Sequence, residues 1–220
     1  LPGKVLLEAA GMSMLEHLIR RLRVVKSIEQ IVLATTLNNE DLPLIKLAKD
    51  LNISYFRGSE EDVMQRVIDS ATSVNADIIV EITGDCPIID PEIVEQTIQM
   101  FKVHHADYVS NALIRSYPDG MDTQVFALDT LKRSAAMTND PLDHEHVTLH
   151  IRNNPKLFTQ VHLVAPPEVN WPELGLTLDE LSDYNLLKKI IEHFVEKKNP
   201  LFSCIDVVRL LRQNPEYIEI

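Results

Sequence analysis

The order of residues predicts an α/β fold with a largely parallel sheet. Short apolar runs bounded by turn residues alternate with amphipathic stretches, which is the pattern of β-α-β units. With 220 residues and 45% hydrophobic content, the chain can bury one sizeable core. We read residues 1–220 as a single domain.

The elements follow in order. Ile31 to Ala34 reads as a buried strand, and Asn39 stands where it could cap a helix with Leu42, Ile45, Leu47, Ala48 and Leu51 on its apolar face. Ile53 to Phe56 supplies the next strand. A second helix follows Ser59, with Glu60, Glu61 and Asp62 in its first turn, where the helix dipole favours negative charge. Asp77 to Ile82 has the continuous apolar character of a strand in a parallel core, and it runs into Thr83-Gly84-Asp85-Cys86-Pro87. Pro91 opens a helix, at a position where its missing N–H costs little. Ala106 to Ser110 is a strand, Tyr117 to Gly120 a turn by composition, and Thr123 to Leu128 an extended run. Helical patterns from Asp129 and from His144 to Arg152 stop at Asn153-Asn154-Pro155. Phe158 to Val164 is a late strand, Leu176 to Asp179 a very short one, and two helices follow, about Glu180 to Lys197 and Ile205 to Gln213.

Charge and cysteine content narrow the function. The chain has 21 Lys and Arg against 33 Asp and Glu, a formal net charge of −12, which opposes non-specific attraction to nucleic acid or anionic lipid. An anionic substrate then needs a local cluster of cations, or metal ions held by carboxylates. Cys86 and Cys204 are far apart and form no CxxC pair, so neither a disulfide scaffold nor a zinc site is indicated. No apolar run approaches the roughly 20 residues that span a bilayer. The expected setting is soluble, reducing and cytoplasmic.

A parallel sheet binds ligands beyond the carboxyl ends of its strands, which directs attention to strand-end residues. Asp85 follows an Ile/Val-rich strand, where a rigid element would present a carboxylate to Mg²⁺. As a helix cap it is less well placed than Asp90. Asp179 ends another short strand, with Asp183 one helical turn further on; it reads equally as a helix cap and as the second carboxylate of a divalent-metal pair. Lys4 after a Pro-Gly turn can reach phosphate as a point charge, and Gly11 can admit close backbone approach, although a solvated lysine is the default. Arg57-Gly58-Ser59 opens a helix whose free N–H groups could meet a base or phosphate; the alternative is an ordinary helix cap by Ser59. Arg66 is spaced to pair with Asp62. His144, Glu145, His146 and His150 lack HExxH spacing and a third ligand, so sugar contact or internal hydrogen bonding is the better reading than zinc. No GxSxG elbow supports hydrolysis.

Five blocks in order and spacing resemble one family: Leu1 to Leu6, Arg57 to Val63, Ile82 to Pro91, Tyr117 to Asp122 and Glu145 to Thr148. It is the spore coat polysaccharide biosynthesis protein F family, similar to the cytidylyltransferases that activate 3-deoxy-manno-octulosonate and acylneuraminates. The resemblance covers nearly the whole chain. It implies a nucleotide-diphospho-sugar transferase fold, a mixed, mostly parallel sheet between helices in a Rossmann-like three-layer sandwich, usually paired as a homodimer. It also implies transfer of CMP from CTP to a sugar or sugar acid, with release of pyrophosphate. By the same resemblance Lys4 contacts the nucleotide phosphates, Asp85 and Asp179 hold Mg²⁺, and Gly58 and Ser59 lie near the base beside Arg57. Asn111, Tyr117, Asp119, Asp122, Glu145 and His146 face the sugar. The family's first strand and arginine-containing phosphate loop, expected just before Leu1, are not in this sequence. Gly175 stands where relatives often carry arginine, and Glu180-Leu181-Ser182 replaces a common Thr-Pro-Glu. A nucleotide-sugar-dependent glycosyltransferase is the enzymatic alternative, weakened because Asp85-Cys86-Pro87 lacks the second aspartate of DxD. A non-catalytic nucleotide-binding subunit is the other.

Overall fold

The structure, a computed structural model, describes residues 3–218; Leu1 and Pro2 of the Leu-Pro-Gly-Lys block lie outside the described residues. After a single 3-10 turn at Lys4–Leu6 comes a short antiparallel hairpin, β1 (Glu8–Ala9) and β2 (Met12–Ser13). Its two-residue loop, Ala10 at φ 49° and Gly11 at φ 78°, has the double positive φ that a tight hairpin demands. Gly11 therefore serves the hairpin turn.

The next element, α1 (Met14–Leu22), is not among the helices expected from the sequence. Its signal was present: the Ser13 hydroxyl accepts from the Glu16 amide at 3.2 Å, and Met14, Leu15, Leu18, Ile19 and Leu22 fall on one buried face. Arg21, itself buried, interrupts that face and hides the period.

β3 (Val32–Thr36) and β4 (Ser54–Gly58) pair in parallel, connected through α2 (Leu42–Asp50). Asn39 lies in a 3-10 turn ahead of α2 and does not cap it. Asp41 ends that turn, and its carboxylate accepts from the Thr35 and Thr36 hydroxyls at 2.6 Å each and from the Thr36 amide at 3.0 Å. In α3 (Val63–Ser73) the acidic run precedes the first turn, and Asp62 is the cap, accepting from the Gln65 amide at 2.8 Å.

The larger sheet has the order β5-β7-β6-β8, from β5 (Ile78–Glu81), β6 (Tyr108–Ser110), β7 (Gln124–Ala127) and β8 (Gln160–His162). β7 is antiparallel to both neighbours, and β6 and β8 are parallel. Strands β5, β6 and β8 thus point one way with β7 reversed among them, so the fold is the mixed one expected. The parallel-core reading of Asp77 to Ile82 is corrected in detail, since β5 pairs antiparallel with β7 and Ile78 is exposed. An apolar run reports burial and is silent on the direction of its partner.

One face of this sheet, through Val80 and Val125, packs on α1 and α4 (Pro91–His104), with Leu15, Leu18, Ile19, Val94 and Ile98. The other face, through Tyr108 and Phe126, packs on α3, α5 (Leu128–Ala135) and α7 (Leu149–Asn153), with Met64, Ile68, Leu131 and Ile151. A sheet between helix layers is the three-layer arrangement. A third cluster gathers α8 (Leu181–Glu196) and α9 (Cys204–Gln213) around Leu174, Leu176 and Leu178. Asp90 caps α4 through the Glu92 amide at 2.9 Å, and its other oxygen accepts from the Cys204 amide at 2.6 Å, tying α9 to α4. Leu176 to Asp179 forms no strand ladder. It is held by a bridge from Gly175 to Asp119 and by the Leu178 amide on the Asp85 carbonyl. No described helix is long and apolar enough to cross a membrane.

Candidate active site

Gly3, at φ 64°, turns the chain into the Lys4–Leu6 helical turn, a conformation that glycine adopts without strain. Lys4 then extends its ammonium between two carboxylates, 2.8 Å from Asp179 Oδ1 and 3.7 Å from Asp85 Oδ2. These aspartates are far apart in the chain and meet at one cation. Burial opposes the Lys4 charge, but the Asp179 hydrogen bond and both carboxylate charges outweigh it and hold the ammonium above its ordinary pKa. The same hydrogen bond holds Asp179 below the usual carboxylate range.

Neighbouring groups hold the Asp85 carboxylate and the Asp179 backbone in place. The Cys86 thiol donates to Asp85 Oδ1 at 3.6 Å, and it lies 3.2 Å from the Thr83 hydroxyl. Asp183 Oδ2 accepts from the Asp179 amide at 3.0 Å and the Glu180 amide at 2.7 Å, within a capping box at the start of α8. Asp179 is thus free of the capping duty, which falls to Glu180 and Asp183.

The Tyr117-to-Asp122 turn lies against the Asp179 segment. The Asp119 amide donates to the Leu174 carbonyl, and the Leu176 amide to the Asp119 carbonyl, both at 2.9 Å. Gly120, at φ 93°, lets the backbones meet: a β-carbon there would sit 2.6 Å from the Leu176 carbonyl oxygen. Tyr117 is buried in the α8/α9 cluster, and Asp119 pairs with Arg115 at 3.2 Å. Asn111 is buried, and its amide is spent on backbone, donating to the Met121 carbonyl and accepting from the Thr123 amide, each at 2.7 Å. Those two residues flank Asp122. Burial and the nearby Asp119 push the Asp122 carboxyl up to about 6; Arg115 and Arg152 oppose the shift, and Asp85 adds to it.

Sequence reasoning missed a polar row along this edge. Glu81, Gln124, Ser110 and His162 are the terminal residues of β5, β7, β6 and β8, paired in register, so they share one face of the sheet. Gln124 is fully oriented: Nε2 donates to Glu81 Oε2 at 3.0 Å, while Oε1 accepts from the Tyr108 hydroxyl at 2.6 Å and the Thr148 hydroxyl at 2.7 Å. Glu81 is partly exposed as a residue, and burial pushes its carboxyl up to about 7 against the opposing charge of Arg152. Arg152 Nε and His162 Nδ1 are buried without a hydrogen-bond partner. The available signal was a polar residue at the ligand end of every strand, visible only once the register is known.

The remaining candidates lie elsewhere on the rim. Arg57 and Gly58 belong to β4 itself, and Arg57 braces the end of β3, donating to the Thr36 carbonyl at 3.0 Å and the Asn38 carbonyl at 2.9 Å. Ser59 accepts from the Asp62 amide at 3.0 Å. Arg66 does not pair with Asp62; it donates to the Ser59 carbonyl at 2.5 Å and packs over Gly58, where a β-carbon would come within 2.9 Å of its Cγ. Glu145 and His146 are exposed at the end of α6 (Pro141–Glu145), just before Val147. Val147 holds φ 48°, a costly conformation for a β-branched residue, and this turn aims Thr148 at Gln124. His144 meets Asp62 at 2.9 Å and His150 meets Ser134 at 3.0 Å, so these histidines do not converge.

The donor set suits Mg²⁺. Two carboxylates face one point that already attracts an ammonium, and Mg²⁺ takes one or two carboxylates beside phosphate oxygens. Among the described residues no three His, Cys, Asp or Glu side chains gather, so no all-protein metal cage forms there.

The chain is similar to known proteins along nearly its whole length. Spore coat polysaccharide biosynthesis protein SpsF of Bacillus subtilis is 32% identical over 98% of this chain and 90% of its own length. The structure of a cytidylyltransferase from Leptospira borgpetersenii superposes with a TM-score of 0.93 at 32% identity, covering 99% of this chain and 90% of that one. A CMP:2-keto-3-deoxy-manno-octonic acid synthetase, solved with CTP, shares the fold at a TM-score of 0.59 and 16% identity, covering 90% and 93%. The family profile described as cytidylyltransferase matches residues 1–203, and the chain belongs to the cytidylyltransferase family.

Proposed function

We propose that the protein transfers CMP from CTP to a hydroxyl of a sugar or sugar acid and releases pyrophosphate, in the assembly of a surface polysaccharide or glycan. The observation that carries this reading is the Lys4 ammonium drawn between Asp85 and Asp179. A lysine and two carboxylates at one sheet edge supply what a triphosphate needs in a chain of net charge −12. Lys4 neutralises charge on the phosphates. Asp85 and Asp179 would hold Mg²⁺, which when bound supplies charge neutralisation to the phosphate oxygens. Most of the acceleration in such a transfer comes from positioning and fixed charge. The acceptor lies along the Asp119–Asp122 turn and the polar row from Glu81 to His162, and the nucleotide base lies toward Arg57, Gly58 and Ser59. The name of SpsF, a relative along nearly the whole chain, supports a polysaccharide setting.

The test is pyrophosphate release on mixing the protein with CTP, Mg²⁺ and a panel of sugar acids, with Asp85→Asn in parallel. Release that requires CTP and one acceptor, and that is lost in the variant without unfolding, is expected. Full activity in Asp85→Asn removes this assignment of the site. Consumption of a preformed nucleotide sugar would point to a glycosyltransferase.

A further inference from the structure

Transfer to a hydroxyl requires that its proton go somewhere. Lys4 is paired with both metal-side carboxylates, and Asp119 with Arg115. Asp122 differs. Its carboxylate has no hydrogen-bond or ion-pair partner among the described residues, part of it stays accessible, and Asp119 and Asp85 are among the charges near it.

It is nevertheless rigidly mounted. Met121 and Thr123, on either side, are fully buried, and the Asn111 amide grips the carbonyl of one and the N–H of the other at 2.7 Å. A side chain held at its base and left without a partner at its tip is arranged as a catalytic group must be.

We infer that Asp122 is the general base of the transfer, taking the proton of the acceptor hydroxyl as that oxygen attacks the α-phosphorus of CTP. This rests on the transfer reading above. The new bond joins the acceptor oxygen to the α-phosphorus. The bond from that phosphorus to the oxygen bridging to the β-phosphate breaks, and pyrophosphate leaves with the electron pair. The proton ends on Asp122. The charged groups around it are Asp119, Asp85, Arg115 and Arg152, and the like charges favour proton capture. A carboxyl near 6 is ionised at neutral pH and still basic enough to accept a proton.

The experiment compares the unaltered chain with Asp122→Asn and Asp122→Glu, using CTP, Mg²⁺ and an acceptor that the unaltered chain uses, from pH 5 to 9. Asp122→Asn should lower kcat by about 100-fold or more. Its KM for CTP should stay unchanged, its melting temperature at neutral pH should not fall, and the acidic limb of the pH profile should vanish. Asp122→Glu should recover part of kcat and keep the limb. Full kcat in Asp122→Asn, or an acidic limb that survives in it, overturns the base assignment alone. If the unaltered chain releases no pyrophosphate with any acceptor, the transfer reading falls and this assignment with it.

Discussion

The Leu178 amide donates to the Asp85 carbonyl at 2.9 Å, so the two segments that carry the site's paired carboxylates are joined by a backbone hydrogen bond. The Asp179 side chain, one residue from that bond, and the Asp85 side chain, on the residue that accepts it, share one cation. Groups that act on a common ion are not independent, and their removal does not add. Asp179→Asn and Asp85→Asn should each reduce pyrophosphate release by at least about 100-fold, roughly 3 kcal/mol of transition-state stabilisation. The double variant should lie within about tenfold of the worse single one. Fully multiplicative losses in steady-state kinetics would show that the two carboxylates work at separate places.

Gly120 should be intolerant of a side chain. At φ 93° with a would-be β-carbon 2.6 Å from the Leu176 carbonyl oxygen, Gly120→Ala meets backbone that cannot rotate away. The substitution should cost about 2 kcal/mol or more. It should also loosen the 174–179 segment that carries Asp179, lowering kcat beyond what partial unfolding explains. Thermal melting and pyrophosphate release at 20 °C below the transition together check this. A variant with the parent's melting temperature would mean that the turn relaxes without cost.

Lys4, Asp85 and Asp179 each bear a local mark, a Pro-Gly turn, an apolar strand followed by Gly-Asp, and a short apolar run before an acid; those marks made them candidates, and the resemblance of the surrounding blocks gave them a common role. Local marks survive without knowledge of the partner strands. The Glu81-Gln124-Ser110-His162 row was illegible for the opposite reason, since it exists only through register across four strands. Asn111 shows a third case. Resemblance placed it toward the sugar, and the structure places its amide on the backbone at either side of Asp122, a role that composition does not announce. Helix α1 was hidden by Arg21, a charged residue on a buried face.

Arg21 is itself a strong stability prediction. Its Nε donates to the Ile89 carbonyl at 2.6 Å, Nη1 to the Pro200 carbonyl at 3.1 Å, and Nη2 to the Phe202 carbonyl, while the guanidinium lies 4.5 Å over the Phe202 ring. Burial pushes its pKa down to about 10 although Asp90 opposes, so it remains charged at neutral pH. Arg21→Met leaves buried carbonyls without donors and should destabilise by about 3 kcal/mol. Lysine cannot reproduce the planar fork, so Arg21→Lys should recover less than half of that. Urea denaturation reads both, and neither should alter KM for CTP under folding conditions. Parent-like stability in Arg21→Met would show that solvent reaches those carbonyls.

Glu81 makes stability depend on pH in the direction opposite to a salt-bridged carboxylate. Its folded-state value is raised to about 7 by burial, above the ordinary 4.5 of the unfolded chain. Below the unfolded value both states hold the proton, and the contribution is fully present. As pH rises from about 4.5 to about 7, the unfolded chain gives up a proton that the native state keeps, so folding loses stability across that window and is level above it. The loss attributable to Glu81 is on the order of 2–3 kcal/mol. Asp122, raised to about 6, slopes the same way over a lower range and is common to both proteins compared. Glu81→Gln keeps an acceptor for Gln124 Nε2 and removes the titration. Its urea midpoint should match the parent near pH 4.5 and exceed it at pH 8. Parallel midpoints across that range would show that water solvates the Glu81 carboxyl in the native state as well as in the unfolded chain.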